Sequence, residues 1–370
     1  MKILVTGAKG FIGKNLIAEL KNKGYTDILA YDMDTDPVLL QQYAGQCQFV
    51  YHLAGINRPQ DENEFMTGNY GFTVELIEAL QKNNNRAPIL LTSSVQAELD
   101  NPYGISKKAA ENLLMNYGIN QGIRVMLYRL PNLFGKWARP NYNSVVATFC
   151  HNIANEMDIT IHDAKAFLRL AYIDDVVNEF IAALQERENR KTDGLCYIPT
   201  IYETTVGELA EKLYAFKTNR QTLIMPSLLS DFDRDLYATL LSYLPPNGFS
   251  YALDMKQDNR GWLAEFVKSN SFGQIFVSKT RPGITRGNHW HHTKVEKFLV
   301  IQGQATIKFR SLSTNEAIEY PVSSNKLEVV DIPVGYTHSI TNTGDNELIT
   351  LFWAGEPFNA EKPDTYYLEA

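Results

Sequence analysis

Little in this chain of 370 residues suits an oxidising compartment, a membrane or a nucleic acid. It holds only three cysteines, Cys47, Cys150 and Cys196, widely spaced and without a CxxC pair. That excludes a disulfide framework and a thiolate metal site, and fits a reducing cytosol. No apolar run approaches the roughly 18 residues that a membrane-spanning helix needs. The opening Lys2-Ile3-Leu4-Val5 does not read as a basic segment, apolar stretch and cleavage site in series. The expectation is therefore a soluble, cytoplasmic protein with no membrane partner. Positive charge is in deficit, 35 Lys and Arg against 42 Asp and Glu, for a net charge of −7. Neutralising a phosphate backbone takes a basic surface, so no nucleic-acid partner is expected. Internal repeats and low-complexity segments are missing too. What remains is 44% hydrophobic and 21% charged residues, the balance of a globular protein. The length suits two domains.

The first two-thirds alternate short apolar runs with helical patterns. Strands are expected at Lys2–Thr6, Asp27–Tyr31, Phe49–Leu53, Ile89–Thr92 and Arg124–Arg129. Helices are expected after the first glycine turn through about Asn22, at Thr73–Lys82 and at Ser106–Tyr117. Such alternation predicts an α/β domain, a parallel sheet covered by helices on both faces. A polar helical stretch from about Val206 to Leu244 ends at Pro245-Pro246-Asn247-Gly248. Beyond it, Phe272–Lys279, Phe298–Ile301, Ala305–Phe309, Glu328–Ile332 and Glu347–Trp353 are short strand-like runs between turns. They predict an all-β sandwich or barrel. The expected domains are 1–245 and 246–370.

Thr6-Gly7-Ala8-Lys9-Gly10-Phe11-Ile12-Gly13 follows the first strand and opens a helix. Glycines so placed allow a tight turn, admit a pyrophosphate to the backbone and let helix and strand pack closely. The amides near Phe11 and Ile12 would then face the phosphates. Asp32, at the end of the second strand, is placed to accept adenosine ribose hydroxyls, which favours NAD because a carboxylate repels a 2′-phosphate. Lys9 and Arg58 could supply charge for such a phosphate, and the residues alone leave NAD and NADP open.

Tyr103-Gly104-Ile105-Ser106-Lys107 has the form Y-x-x-x-K, which puts both side chains on one helix face. The expectation is that Lys107 lowers the tyrosine pKa, so that the phenol exchanges a proton with a substrate oxygen near neutral pH. Ser94, just past a strand end, could bind the same oxygen. Glycine turn, serine and Y-x-x-x-K occur in the order of the extended short-chain dehydrogenase/reductases that act on nucleotide-sugars, and residues 1 to about 240 resemble that family. Phe49-Val50-Tyr51-His52-Leu53-Ala54-Gly55, Arg129-Leu130-Pro131-Asn132-Leu133-Phe134-Gly135 and Leu168–Val176 look like three further segments of it. The resemblance implies a Rossmann fold, with Tyr103 as proton donor, Lys107 as its helper and Ser94 as oxyanion partner. It also places Leu53 and Lys107 against the cofactor. One departure is that about sixteen residues separate Asp32 from Phe49, where the family usually fits a helix, a strand and a further turn.

In the last third, His289, His291 and Glu296 lie close together and His338 follows some forty residues on. In an antiparallel barrel His289 and His291 alternate onto one strand face, Glu296 comes from the next strand, and His338 joins from a distant one. Three imidazoles and a carboxylate can hold Zn, Fe, Mn, Ni or Cu. One divalent metal is expected, Zn first among these. His292 is off-register and reads as a surface or supporting residue. The stretches Gly283–Gly303 and Pro333–Asn342 resemble both motifs of the cupin superfamily, with Leu327 where the second motif opens on glycine. Arg286-Gly287-Asn288-His289 is also similar to the R-G-x-H stretch of the dTDP-4-keto-sugar 3,5-epimerases, whose histidine acts as a base without metal.

A nucleotide-sugar reductase fused to a cupin barrel resembles, over its whole length, the CapF-type enzymes of bacterial capsular polysaccharide synthesis. That resemblance implies a UDP-linked 4-keto-6-deoxy-N-acetylhexosamine as substrate. Its C3 would be epimerised at the cupin and its C4 ketone reduced with NADPH, giving UDP-2-acetamido-2,6-dideoxy-L-talose. It also implies a homodimer, since cupin barrels pair through sheet edges. The rival readings are a 4-epimerase or dehydratase beside an independent cupin enzyme, and a ketoreductase whose cupin only senses sugar or drives dimerisation.

Overall fold

The computed structural model describes residues 1–370 and divides into two compact units. The first comprises Met1–Leu213 and Asp231–Pro245, and the second Tyr214–Ser230 and Pro246–Ala370. Residues 214–230 join the second unit for a local reason: Lys268 donates its N–H to the Leu223 carbonyl and Met225 donates to that of Lys268, both at 2.7 Å. No helix is long and apolar enough to cross a membrane.

In the first unit the β-strands are β1 (Ile3–Thr6), β2 (Ile28–Tyr31), β3 (Phe49–His52), β4 (Ile89–Ser94), β5 (Val125–Leu130), β6 (Asn132–Phe134), β7 (Phe167–Tyr172) and β8 (Tyr202–Thr205). The helices are α1 (Phe11–Asn22), α2 (Val38–Ala44), the single turn α3 (Asn63–Phe65), α4 (Phe72–Lys82), α5 (Pro102–Gln121), α6 (Val145–Ala154), α7 (Ile173–Leu184), α8 (Val206–Thr222, which runs past the limit of the unit) and α9 (Asp231–Leu241). Strands β2-β1-β3-β4-β5 form one parallel sheet. One face buries Ile3, Val5, Leu16, Tyr51 and Phe180, and the other Leu4, Val50, Leu76, Leu80 and Leu91. A strand buried on both faces reads as a continuous apolar run, as these do. The fold is the Rossmann arrangement expected. The short β2-to-β3 link holds only α2, which is as much as sixteen residues admit.

Two boundaries differ from the pattern reading. Helix α5 begins four residues early, because Asn101 caps it by accepting the Gly104 N–H at 2.8 Å and Pro102 takes the first position. Tyr103 and Lys107 are therefore both inside the helix. Ahead of α4 the chain takes a π-helical course over Met66–Gly71, which buries Asn69.

The second unit is antiparallel and matches the expected cupin barrel. Its strands are β9 (Met255–Asp258), β10 (Gly261–Ser269), β11 (Gly273–Thr280), β12 (Thr285–Trp290), β13 (Glu296–Gln302), β14 (Gln304–Ser311), β15 (Ala317–Ser323), β16 (Val329–Ile332), β17 (Tyr336–Asn342), β18 (Leu348–Ala354) and β19 (Tyr366–Tyr367). They form sheets of order β16-β13-β18-β11-β10-β9 and β15-β14-β17-β12-β19. Phe298, Val300, Ile307, Phe309, Ile340 and Phe352 fill the space between, with Phe276 stacked on Phe352 at 4.8 Å. Leu327 is exposed in the extended link from β15 to β16.

Candidate functional site

The turn after β1 is built for close approach. Gly7 has φ +67°, and a Cβ there would stand 2.8 Å from the Ala54 nitrogen. A Cβ on Gly13 would lie 2.2 Å from the Gly7 carbonyl oxygen, so α1 packs on the turn closer than any side chain permits. Helix α1 starts without a side-chain cap, which leaves the amides of its first turn to whatever adjoins them. What adjoins them is a cavity of about 780 Å³ lined by Gly7, Lys9, Gly10, Phe11, Ile12 and Gly13. Leu53, Ser94, Tyr103 and Lys107 line it as well. The other two expected cofactor residues lie elsewhere. Asp32 accepts the Lys9 N–H at 2.7 Å and the Met33 N–H at 2.9 Å, so its carboxylate braces the glycine turn. Arg58 lines an adjoining cavity of about 540 Å³, which shares Asn132, Tyr142 and Ser144 with the larger one. The Lys9 ammonium pairs with Asp34 at 2.5 Å.

Deeper in the larger cavity, β4 and α5 bring three polar groups together. Ser94 lies beside Tyr103 and accepts the Gln96 N–H at 3.1 Å, and the Lys107 ammonium donates to the Thr92 carbonyl at 2.8 Å. Burial pushes the Lys107 pKa down to about 8, and the charge of Glu111 opposes it. The expected lowering of the Tyr103 pKa is corrected here. Burial raises it, and the nearby Ser94 hydroxyl opposes that without outweighing it. The Lys107 ammonium donates to the Thr92 carbonyl and makes no hydrogen bond to the phenol.

The second unit gathers His289, His291, Glu296 and His338, with one nitrogen or oxygen from each inside a 4.8 Å spread. The expected strand alternation holds only in part. Strand β12 ends at Trp290, and its register to β17 shifts between Gly287 and His289, with Asn288 at φ +59°. The bulge turns His289 opposite His338, and His291 follows from the first loop residue. Nε2 of His291 and of His338 stand 3.4 and 3.3 Å from Glu296 Oε2. Burial raises the Glu296 pKa, but the two imidazoles outweigh it and hold the carboxyl far below the usual range. His289 is pushed down to about 4, first by burial and then by His338. His291 Nε2 and both nitrogens of His338 are buried without a hydrogen-bond partner. Orphaned nitrogens on one carboxylate fit a divalent cation.

Residues 3–198 match the NAD dependent epimerase/dehydratase family, and residues 256–366 match the Polysaccharide biosynthesis C-terminal domain. The chain belongs to the NAD-dependent epimerase/dehydratase family. Within it, the chain is 44% identical to UDP-2-acetamido-2,6-beta-L-arabino-hexul-4-ose reductase of Pseudomonas aeruginosa, over 99% of this chain and 98% of the relative. It is similar in structure to the capsular polysaccharide assembling protein CapF of Staphylococcus aureus, with 47% identity, TM-score 0.94 and full coverage of both chains. RMD of Pseudomonas aeruginosa, solved with NADPH, is 21% identical with TM-score 0.54, covering 66% of this chain and 99% of its own, and shares the fold alone.

Two residues of this family member escaped the sequence reading. Asn69 accepts the Ile56 N–H at 2.9 Å and donates to the Ile56 carbonyl and the Ser106 hydroxyl, both at 3.0 Å. It thereby ties the loop after β3 to α5 beside Lys107. The one signal was a glycine at 68 and at 71 inside a helical pattern. Asp364 is the other. Its carboxylate accepts the N–H groups of His292, Thr293 and Lys294 at 2.9, 3.0 and 2.9 Å, and its carbonyl accepts His291 Nδ1 at 2.6 Å. That bond fixes the tautomer of His291 and turns Nε2 toward Glu296. His292 itself is exposed and packs its ring edge on Trp290 and Tyr366. No spacing rule links residue 364 to 291.

Proposed function

We propose that this chain makes UDP-2-acetamido-2,6-dideoxy-L-talose from a UDP-linked 4-keto-6-deoxy-N-acetylhexosamine, by C3 epimerisation at the cupin and C4 reduction in the Rossmann unit. The observation that carries the reading is one cavity lined by both the glycine turn and the Ser94–Tyr103–Lys107 cluster, in a full-length relative of a hexul-4-ose reductase.

The cofactor is NADPH, which the turn at Gly7, Gly10, Phe11, Ile12 and Gly13 would hold. When bound it supplies the hydride that reaches C4. Ser94 and Tyr103 would hold the C4 oxygen, and the Tyr103 hydroxyl passes its proton to that oxygen, so the ketone becomes an alcohol. Lys107 keeps a positive charge beside the phenolate left behind. In the cupin, His289, His291, Glu296 and His338 would hold one divalent metal, Zn by its preference for imidazole with carboxylate. The metal supplies positive charge near the reacting centre. The adjacent C4 ketone acidifies the C3 proton, and reduction then removes that acidity, which sets epimerisation first and reduction second. We further take the protein as a cytoplasmic homodimer. The exposed Ile318 and Tyr320 on the outermost strand β15 support pairing of two copies, and sedimentation velocity checks it.

The deciding experiment incubates the protein with a UDP-4-keto-6-deoxy-N-acetylhexosamine in heavy water without NADPH and follows C3 by proton NMR. Deuterium at C3, lost in His289→Ala and after chelation, is the expected result. Protium retained at C3 while NADPH is still consumed would reduce the cupin to a structural or sensing part.

A further inference from the structure

Three consecutive residues at the end of β4 engage three residues of α5 that are four apart. Ser94 meets Tyr103, the Thr92 carbonyl accepts Lys107 at 2.8 Å, and the Ser93 hydroxyl donates to Glu111 at 2.6 Å. Spacing by four keeps positions 103, 107 and 111 on one face of the helix. Glu111, whose side chain is 3% exposed, also accepts from Arg129 Nε at 2.9 Å and from Nη2 at 2.7 Å. Arg129 stands opposite Ser93 in the β4–β5 register and immediately precedes Leu130, Pro131, Asn132 and Leu133, which line the cavity. Its remaining arm reaches Glu98 at 2.7 Å.

A buried ion pair is a poor device for stability, because desolvating two charges offsets most of their attraction. Its place here points to geometry instead. We propose that Glu111 is a positioning residue of the reductase centre. By holding Ser93 and Arg129 it fixes the ends of β4 and β5 against α5, at the distance where Ser94 meets Tyr103 and Lys107 reaches Thr92. The inference rests on Tyr103, Lys107 and Ser94 being the groups that reduce the ketone.

A consequence in charge follows. The ionisable groups around Lys107 are Tyr103, Lys108 and Glu111 on its own helix and His52 on β3, with Arg129 on β5 reached through Glu111. Strand β4 and the π-helical turn offer only neutral groups, Thr92, Ser93, Ser94 and Asn69. Burial, and next to it Lys107, hold the His52 pKa down to about 3, so that ring is neutral. Glu111 is thus the anion that keeps Lys107 protonated against its burial. Removing that charge lowers the Lys107 pKa below its value of about 8, so activity is lost at a lower pH on the alkaline side.

The test follows NADPH oxidation on the 4-keto sugar against pH in the full chain, with Glu111→Gln, Ser93→Ala and Tyr103→Phe in parallel. For Glu111→Gln we expect kcat to fall about ten-fold or more, KM for both substrates to change by less than about two-fold, and the alkaline limb to move to lower pH. A folded Glu111→Gln protein with wild-type kcat and an unmoved limb would overturn the proposal. So would a loss of activity that only tracks the folded fraction. If Glu111→Gln does not fold, Ser93→Ala decides. It keeps the ion pair, so the limb should stay while kcat drops about five-fold from a looser β4 end, and an unchanged kcat again overturns the idea. Full activity in Tyr103→Phe would show that the underlying assignment has failed, an outcome distinct from an inactive Tyr103→Phe beside a normal Glu111→Gln.

Discussion

In the Rossmann unit Ser94 accepts the Gln96 N–H and the Lys107 ammonium donates to the Thr92 carbonyl, so two of the three cluster groups have partners within the chain. In the cupin unit three imidazole nitrogens, His291 Nε2 and both of His338, are buried with none. The first centre is held by a strand end and one helix face, so its geometry follows from backbone packing. The second converges from β12, the loop after it, β13 and β17, and its four ligand atoms crowd within 4.8 Å around the single carboxylate of Glu296. Three imidazoles around one carboxylate are a donor set for a cation, whereas a hydroxyl, a phenol and an ammonium are groups that give and hold protons. The contrast teaches that the two centres differ in how far their polar groups are already paired within the chain.

The largest effect should come from the Rossmann centre. Tyr103→Phe removes the hydroxyl assigned to protonate the C4 oxygen, and is expected to lower kcat for NADPH oxidation about 10²- to 10⁴-fold. Binding of NADPH, read by fluorescence titration, should stay within about two-fold because the glycine turn is untouched. A normal kcat would place proton delivery elsewhere and dissolve the distinction between the two centres.

Next comes the support of the cupin centre. Asp364→Ala removes the carboxylate that gathers the amides of His292, Thr293 and Lys294, and leaves the backbone carbonyl that orients His291. Losing a supporting group of this kind typically costs about 10- to 100-fold in metal affinity. Zn titration against a competing chelator measures it. Unchanged affinity would show that the strand bulge alone sets the ligands.

Both centres were legible in the sequence to different depths, for physical reasons. The glycine turn and the Tyr103–Lys107 pair are local, set by a strand-helix junction and by helical period, so their spacing carries them. Motif spacing singled out the four residues that the structure brings together, but the reasoning of one strand face for His289 and His291 missed the bulge at Asn288. Asp364 and Asn69 act through tertiary contacts that no period encodes. The Tyr103 pKa was misjudged because the direction of the Lys107 ammonium depends on where the Thr92 carbonyl stands, which the helix pattern does not contain. Asp32 was read as an acceptor for ribose hydroxyls, and the pattern did not show that its two oxygens each also accept a backbone amide of the fold itself.

That last point yields the smallest prediction. With Asp32 bracing the turn, choice between NADPH and NADH passes to Lys9, which lines the cavity, and to Asp34, which holds its ammonium. Both side chains are 66% exposed, so the pair is screened by solvent and salt and little is lost by parting it. Asp34→Asn should therefore leave kcat unchanged and lower KM for NADPH about two- to three-fold relative to NADH. The gain should shrink as ionic strength rises, and Lys9→Ala should act in the opposite direction. Should neither change move the NADPH-to-NADH ratio of kcat/KM, Lys9 does not meet the 2′-phosphate. The cofactor preference would then have to come from elsewhere, with Arg58 in the adjoining cavity the next cation to test.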